Sequence, residues 1–181
     1  MILKGAQALV IDNKIENDIV LKTFTHKNGA MWSSFQPQTV LRLIQQDRGL
    51  YEILPSYPQK VYFDIDRTDL KVANGYYLNQ IILPLISENF PRAEIAISGS
   101  ATDAKTSYHI ILSNYVLTNH DDKAHLKLLV QYFKTRDSGF DTNVYGRNQC
   151  FKLPNQSKPN KPVQVIIKYD NLEDHIVSSL F

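Results

Sequence analysis

The chain has 181 residues, 43% of them hydrophobic and 21% charged, and a formal net charge of +2. These values are those of a soluble globular protein, the length suits one substantial domain or two small lobes sharing a core, and no run has the apolar length of a membrane span. The single cysteine, Cys150, excludes an intrachain disulfide and a Cys-rich zinc centre, and the five histidines (His26, His109, His120, His125 and His175) lack ligand spacing, so no zinc is expected. The opening MILKGAQALVIDNK has no signal-peptide pattern, and an intracellular location is expected.

In chain order, β-type runs are QALVIDN (7–13), DIVLKTF (18–24), LYEIL (50–54), KVYFDID (60–66), AEIAISG (93–99), SYHIILS (107–113) and VQVIIKYD (163–170). Helical patterns are fewer. FQPQTVLRLIQQ (35–46) sets Pro37 near a helix start and Val40, Leu41, Leu43 and Ile44 on one stripe. LNQIILPLISENF (78–90) reads as a helix kinked or broken at Pro84. NHDDKAHLKLLVQYFK (119–134) opens on acidic residues and lines up Leu126, Leu129, Val130 and Phe133. Strands clustered with helices, without regular βαβ alternation, predict an α+β fold with a mixed or antiparallel sheet. NQSKPNKP (155–162) reads as a polar loop, too short for a linker, so residues 1–181 form one domain. Within it, 1–49 is an N-terminal αβ part without a motif, and 50–181 carries the motifs. The first part is expected to pack on the sheet and to meet template through Lys22, Lys27 or Arg42.

Three stretches carry chemistry. In VYFDID, strand alternation puts Asp64 and Asp66 on one side of an otherwise apolar strand. The pair reads either as a solvated strand end or as two oxygen ligands for a divalent cation. Asp69, beyond the strand, reads as a loop acid. In SGSATDAKTSYHIIL, Lys105, Ser107 and His109 alternate onto one face, with Ile110 and Leu112 on the other. A cation, a hydroxyl and an imidazole in a row form a cradle for a polyphosphate, whereas His109 alone reads as a half-buried strand histidine. The SGSATDA ahead of them reads as a loop or a turn. In GFDTNVYGRNQCFKLPNQSK, Asp141 precedes Arg147, Asn148, Lys152 and Lys158, while Phe140, Val144, Tyr145, Phe151 and Leu153 read as core. A third carboxylate would complete a set able to hold two metal ions roughly 3.5–4 Å apart. Singly, Asp141 reads as a turn acid and each lysine as a surface residue. From Lys134 to Lys161 there are six basic residues against two acidic ones, a bias suited to phosphates and also to a plain solvated face.

Together these stretches resemble the archaeo-eukaryotic primase superfamily, in its primase–polymerase and herpes–pox (large DNA virus) primase branch. VYFDID matches the family's Asp-x-Asp strand, KTSYH its Lys-x-Ser-x-His, and FDTNVYGRNQCFKLPNQSK its Asp, Val-Tyr, basic-Asn, aromatic-basic-Leu and Ser-Lys series. The likeness runs from about Leu50 to Val177. It implies the archaeo-eukaryotic primase fold, an RRM-like catalytic module flanked by helices. It implies that Asp64, Asp66 and Asp141 are metal-binding and catalytic carboxylates holding two Mg²⁺ or Mn²⁺ ions. It further implies that Lys105, Ser107, His109, Lys152, Lys158, Arg147 and Asn148 bind nucleotide. The partners implied are single-stranded DNA template and primer, an NTP or dNTP, and a fused or associated helicase, with no membrane. The implied location is the cytoplasm or a replication site.

Two departures stand out. Lys152 occupies a position where relatives often carry arginine, and it offers a point charge in place of a bidentate fork. The Cys/His zinc module that relatives carry beyond the catalytic domain has no counterpart here, so the chain reads as a catalytic fragment of a longer primase–helicase or a minimal enzyme. The expected activity is template-directed nucleotidyl transfer that makes or extends primers. A metal-dependent nuclease and a non-catalytic module binding single-stranded nucleic acid are the competing readings.

Overall fold

A computed structural model describes residues 18–25, 29–46, 49–54, 58–68, 74–102, 105–146, 149–157, 161–168 and 171–178. The strand expected at 7–13, Asp69 and Lys27 lie outside these residues. Eight strands are described: β1 (Ile19–Thr25), β2 (Gly29–Phe35), β3 (Leu50–Leu54), β4 (Gln59–Arg67), β5 (Ile95–Ala101), β6 (Thr106–Leu117), β7 (Gln149–Lys152) and β8 (Val165–Lys168). They form two four-stranded sheets, ordered β2-β1-β3-β7 and β4-β6-β5-β8. Every pairing between named strands is antiparallel. The fold is α+β as expected, but the one expected sheet is two.

Alternation along β4 decides what each face of the second sheet does. Val61, Phe63 and Ile65 point to a helical layer, and Tyr62, Asp64 and Asp66 point the other way. The helical layer comprises α2 (Asn74–Tyr77), a π-helical turn (Leu78–Ile82), α3 (Leu83–Asn89) and α4 (His120–Arg136). Leu126, Val130 and Phe133 of α4, with Tyr77, Ile82 and Ile86, join Phe63, Ile65, Ile97 and Ile110 in one buried cluster. The Asn119 side chain caps α4 by accepting from the amides of Asp121 and Asp122. Pro84 does not break its helix. The wider turn at Leu78–Ile82, closed by the Leu83 amide on Leu78 O, absorbs the proline, and α3 continues through it.

The first sheet has its own core. α1 (Pro37–Leu43) starts on Pro37, and Val40 and Ile44 pack against Ile19, Leu21 and Leu50. The C-terminal turn ties this sheet to the other. Fully buried Glu52 on β3 accepts from Val177 N (2.9 Å), Ser178 N (3.2 Å) and Ser178 Oγ (2.9 Å). Lys60 on β4 donates its amide to Val177 O (2.8 Å) and its Nζ to Glu173 O (2.6 Å). Burial pushes the Glu52 carboxyl up to about 7, even though these hydrogen bonds and Lys60 oppose the shift. No described helix is long and apolar enough to cross a membrane.

Candidate functional site

The register between β4 and β6 pairs Asp64 with His109 and Asp66 with Ser107. Next door, β5 sets Ser98 against His109 and Ser100 against Ser107. Directly opposed residues share a face in an antiparallel pair, so two polar rows cross the sheet: Asp64–His109–Ser98 and Asp66–Ser107–Ser100. β5 runs past the expected strand at 93–99 to include Ser100 and Ala101, so the loop or turn expected within 98–104 begins only after Ala101, where Thr102 N donates to Lys105 O (2.8 Å).

The free edge of β4 receives the third acid. Asp66 N donates to Gly139 O (2.8 Å), Asp141 N donates to Asp64 O (2.9 Å), and Ile65 bridges Phe140 in antiparallel sense. Asp141 is therefore brought beside Asp64 on the polar face, while Phe140 turns into the core. Asp137 anchors this segment. It accepts from Tyr77 Oη (2.6 Å), Gly139 N (2.8 Å) and Arg67 Nη1 (2.9 Å). Gly139 has no room for a side chain, because an added Cβ would collide with the Tyr77 hydroxyl and lie 2.8 Å from Asp137 Oδ1. Downstream, Tyr145 Oη donates to Tyr62 O (2.7 Å) and Tyr62 Oη to Val144 O (2.9 Å), which fixes the turn after Asp141. Burial, then Tyr62, Asp64 and Asp141, push the Tyr145 hydroxyl up.

A cavity of about 260 Å³ opens on this face, and among its lining residues are Asp64, Asp66, Lys105, Ser107, His109 and Lys152. Six of the sequence-predicted site residues thus meet in one place. Asp141 is not among the lining residues, though its amide bonds to Asp64 O, and Arg147, Asn148 and Lys158 lie outside the described residues. Burial alone would raise the Asp66 carboxyl, but Lys105 Nζ (2.7 Å) and Ser107 Oγ (2.5 Å) outweigh it and hold the group below the usual range. His109 Nδ1 lies 3.0 Å from Lys152 O, and since a carbonyl only accepts, Nδ1 carries the proton. That leaves Nε2 facing Asp64 Oδ1 at 3.5 Å. The ring also stacks on Phe151 of β7, centroids 4.1 Å apart, so the imidazole joins the two sheets.

Asp64, Asp66 and Asp141 are hard oxygen donors on one face, a donor set suited in kind to Mg²⁺ or Mn²⁺. Among the described residues, however, no group of three His, Cys, Asp or Glu side chains is arranged to hold a metal ion. Asp66 engages Lys105 and Ser107, and Asp141 Oδ1 accepts from Asn143 N (2.8 Å). An ion at Asp66 would share that carboxylate with Lys105 and Ser107.

Sequence reasoning missed part of the lining: Tyr51, Ser100, Thr102, Cys150, Lys161 and Gln164. A signal existed for Ser100, which shares the strand parity of Ser98. None existed for Tyr51, paired with Lys152 of β7, or for the Gln164 side chain, which meets Ser98 66 residues away. The basic excess is not one patch. Lys152 and Lys161 line the cavity, while Lys134 and Arg136 sit on α4, across the sheet. No protein-family model matches this chain, and no curated protein matches it.

Proposed function

We propose that this chain is the catalytic domain of a DNA primase or primase–polymerase, which joins nucleotides on a template strand. The observation that carries the reading is the shared cavity, where Asp64 and Asp66 face Lys105, Ser107, His109 and Lys152. Carboxylates beside cations and a hydroxyl suit a metal-bound triphosphate better than they suit water alone as nucleophile. Asp64, Asp66 and Asp141 would hold divalent ions, which supply activation of a 3′-hydroxyl and stabilisation of the pyrophosphate leaving group. Lys105, Ser107 and His109 bind and orient the phosphates, and Lys152 offsets their charge from the β7 side. On this reading the sheet β4-β6-β5-β8 with its helical layer is the RRM-like module of the archaeo-eukaryotic primase fold, and single-stranded template and primer run across the open face.

One observation favours a second reading, a nucleic-acid-binding module without catalysis: Asp66 is already compensated by Lys105 and Ser107. Incubation with a primed template, NTPs or dNTPs and Mg²⁺ or Mn²⁺ separates the cases. The proposal expects templated extension with pyrophosphate release and no strand cleavage. Cleavage instead assigns a nuclease. Salt-sensitive single-strand binding indifferent to metal and to Asp64→Ala, without extension, assigns the binding module.

A further inference from the structure

Gln164 lies just before β8, outside every motif, and its placement is tightly built. Its amide donates to Gln156 O (3.0 Å) and its carbonyl accepts from Asn155 N (2.7 Å), so the backbone cannot drift. The side chain is fully buried yet lines the cavity that holds Asp64, Lys105 and His109. Nε2 approaches two oxygens of Ser98, Oγ at 3.1 Å and the carbonyl at 3.4 Å. This fixes the orientation of the amide, since the reversed amide would set oxygen against the Ser98 carbonyl oxygen. Among the described residues, Oε1 is then left buried with no hydrogen-bond partner. A buried acceptor of this kind is costly unless a donor reaches it.

We infer that Gln164 Oε1 is a specificity contact of the nucleotide pocket and accepts a hydrogen bond from the bound nucleotide. The inference rests on the nucleotidyl-transfer reading. Ionised phosphate oxygens only accept, so they cannot satisfy Oε1; the donors of a nucleotide are its sugar hydroxyls and its base N–H groups. Ser98 joins Gln164 to the row that runs through His109 to Asp64, so the contact and the phosphate cradle belong to one sheet face. A site that aims a buried acceptor at a ligand hydroxyl or N–H disfavours the analogue that lacks it, because the acceptor is then left unpaired.

The test is equilibrium binding, with Mg²⁺ and without template or primer, of ATP, 2′-deoxy-ATP, 3′-deoxy-ATP, the other NTPs and inorganic tripolyphosphate. Wild-type protein is expected to lose roughly three- to tenfold in affinity when the recognised donor is removed. Sensitivity to a sugar analogue assigns a hydroxyl, and sensitivity to base identity assigns a base N–H. In Gln164→Leu that discrimination should vanish, with tripolyphosphate affinity unchanged. The inference is overturned if wild type binds all the nucleotides alike, or if Gln164→Leu weakens tripolyphosphate as much as ATP. Should the variant fail to fold, the wild-type panel alone decides. Wild-type protein that binds neither nucleotide nor tripolyphosphate sinks the nucleotidyl-transfer reading as well, whereas binding without donor preference sinks only the role of Gln164.

Discussion

At the scale of single residues, Lys105 has two possible partners under the proposed function, the Asp66 carboxylate and a bound phosphate. Its ammonium is 2.7 Å from Asp66 Oδ2, yet both side chains are substantially exposed, at 44% and 38%. An ion pair so wet contributes little to folding, less than about 1 kcal/mol. The same charge directed at a phosphate makes a charge-assisted hydrogen bond, whose loss costs more. Lys105→Ala should therefore leave the melting temperature nearly unchanged while tripolyphosphate affinity falls by roughly tenfold or more. Paired thermal melts and titrations check this. Equal losses in both would mean that the lysine serves the fold and not the ligand.

At the scale of elements, the third acid depends on a short segment laid along the edge of β4. Asp66 N and Asp64 O grip Gly139 O and Asp141 N, and the absence of a Cβ at Gly139 lets the turn close over Asp137 and Tyr77. Gly139→Ala should cost about 1–3 kcal/mol through crowding and lift Asp141 off β4, so that activity falls further than stability does. Denaturant melts set beside primer-extension rates measure both quantities. Much of this architecture is legible in sequence. Alternation in KVYFDID and SYHIILS places Asp64, Asp66, Ser107 and His109 by parity alone, and the amphipathic run opened by acidic residues after Asn119 announces α4. Other parts are not. β2, GAMWSSF, mixes small, polar and apolar residues without a clear period, and its pairing with β1 creates it. The division into two sheets comes from strand partners remote in sequence, such as β3 with β7, which local periodicity does not encode. Pro84 signals a disturbed helix, but its accommodation by a π-helical turn needs the packed layer around Leu78 and Ile82. Gln164 is held by the backbones of Asn155 and Gln156, at the end of the third stretch, and by Ser98, a contact 66 residues away that local pattern does not announce.

For the whole molecule, the two sheets are joined on one side by His109 against Phe151 and on another by Glu52 against the C-terminal turn. The second joint makes stability depend on pH. Burial raises the Glu52 carboxyl from 4.5 to about 7, so the folded state holds its proton more tightly than the unfolded chain. That contribution is full below about pH 4.5 and is lost as the pH rises through 7, a change on the order of a few kcal/mol. The melting temperature should fall across this window, and Glu52→Gln should remove that part of the slope. A profile unchanged by the substitution would assign the pH dependence elsewhere. Acids from two distant segments, Asp64 on β4 and Asp141 after α4, lie side by side, and under the proposed function they act as one catalytic site. The most direct test is templated primer extension with Mn²⁺ or Mg²⁺ by wild type, Asp64→Asn and Asp141→Asn. Extension by wild type with a loss of roughly a hundredfold or more in each variant is the predicted result. Either variant extending primers as fast as the wild type would contradict it.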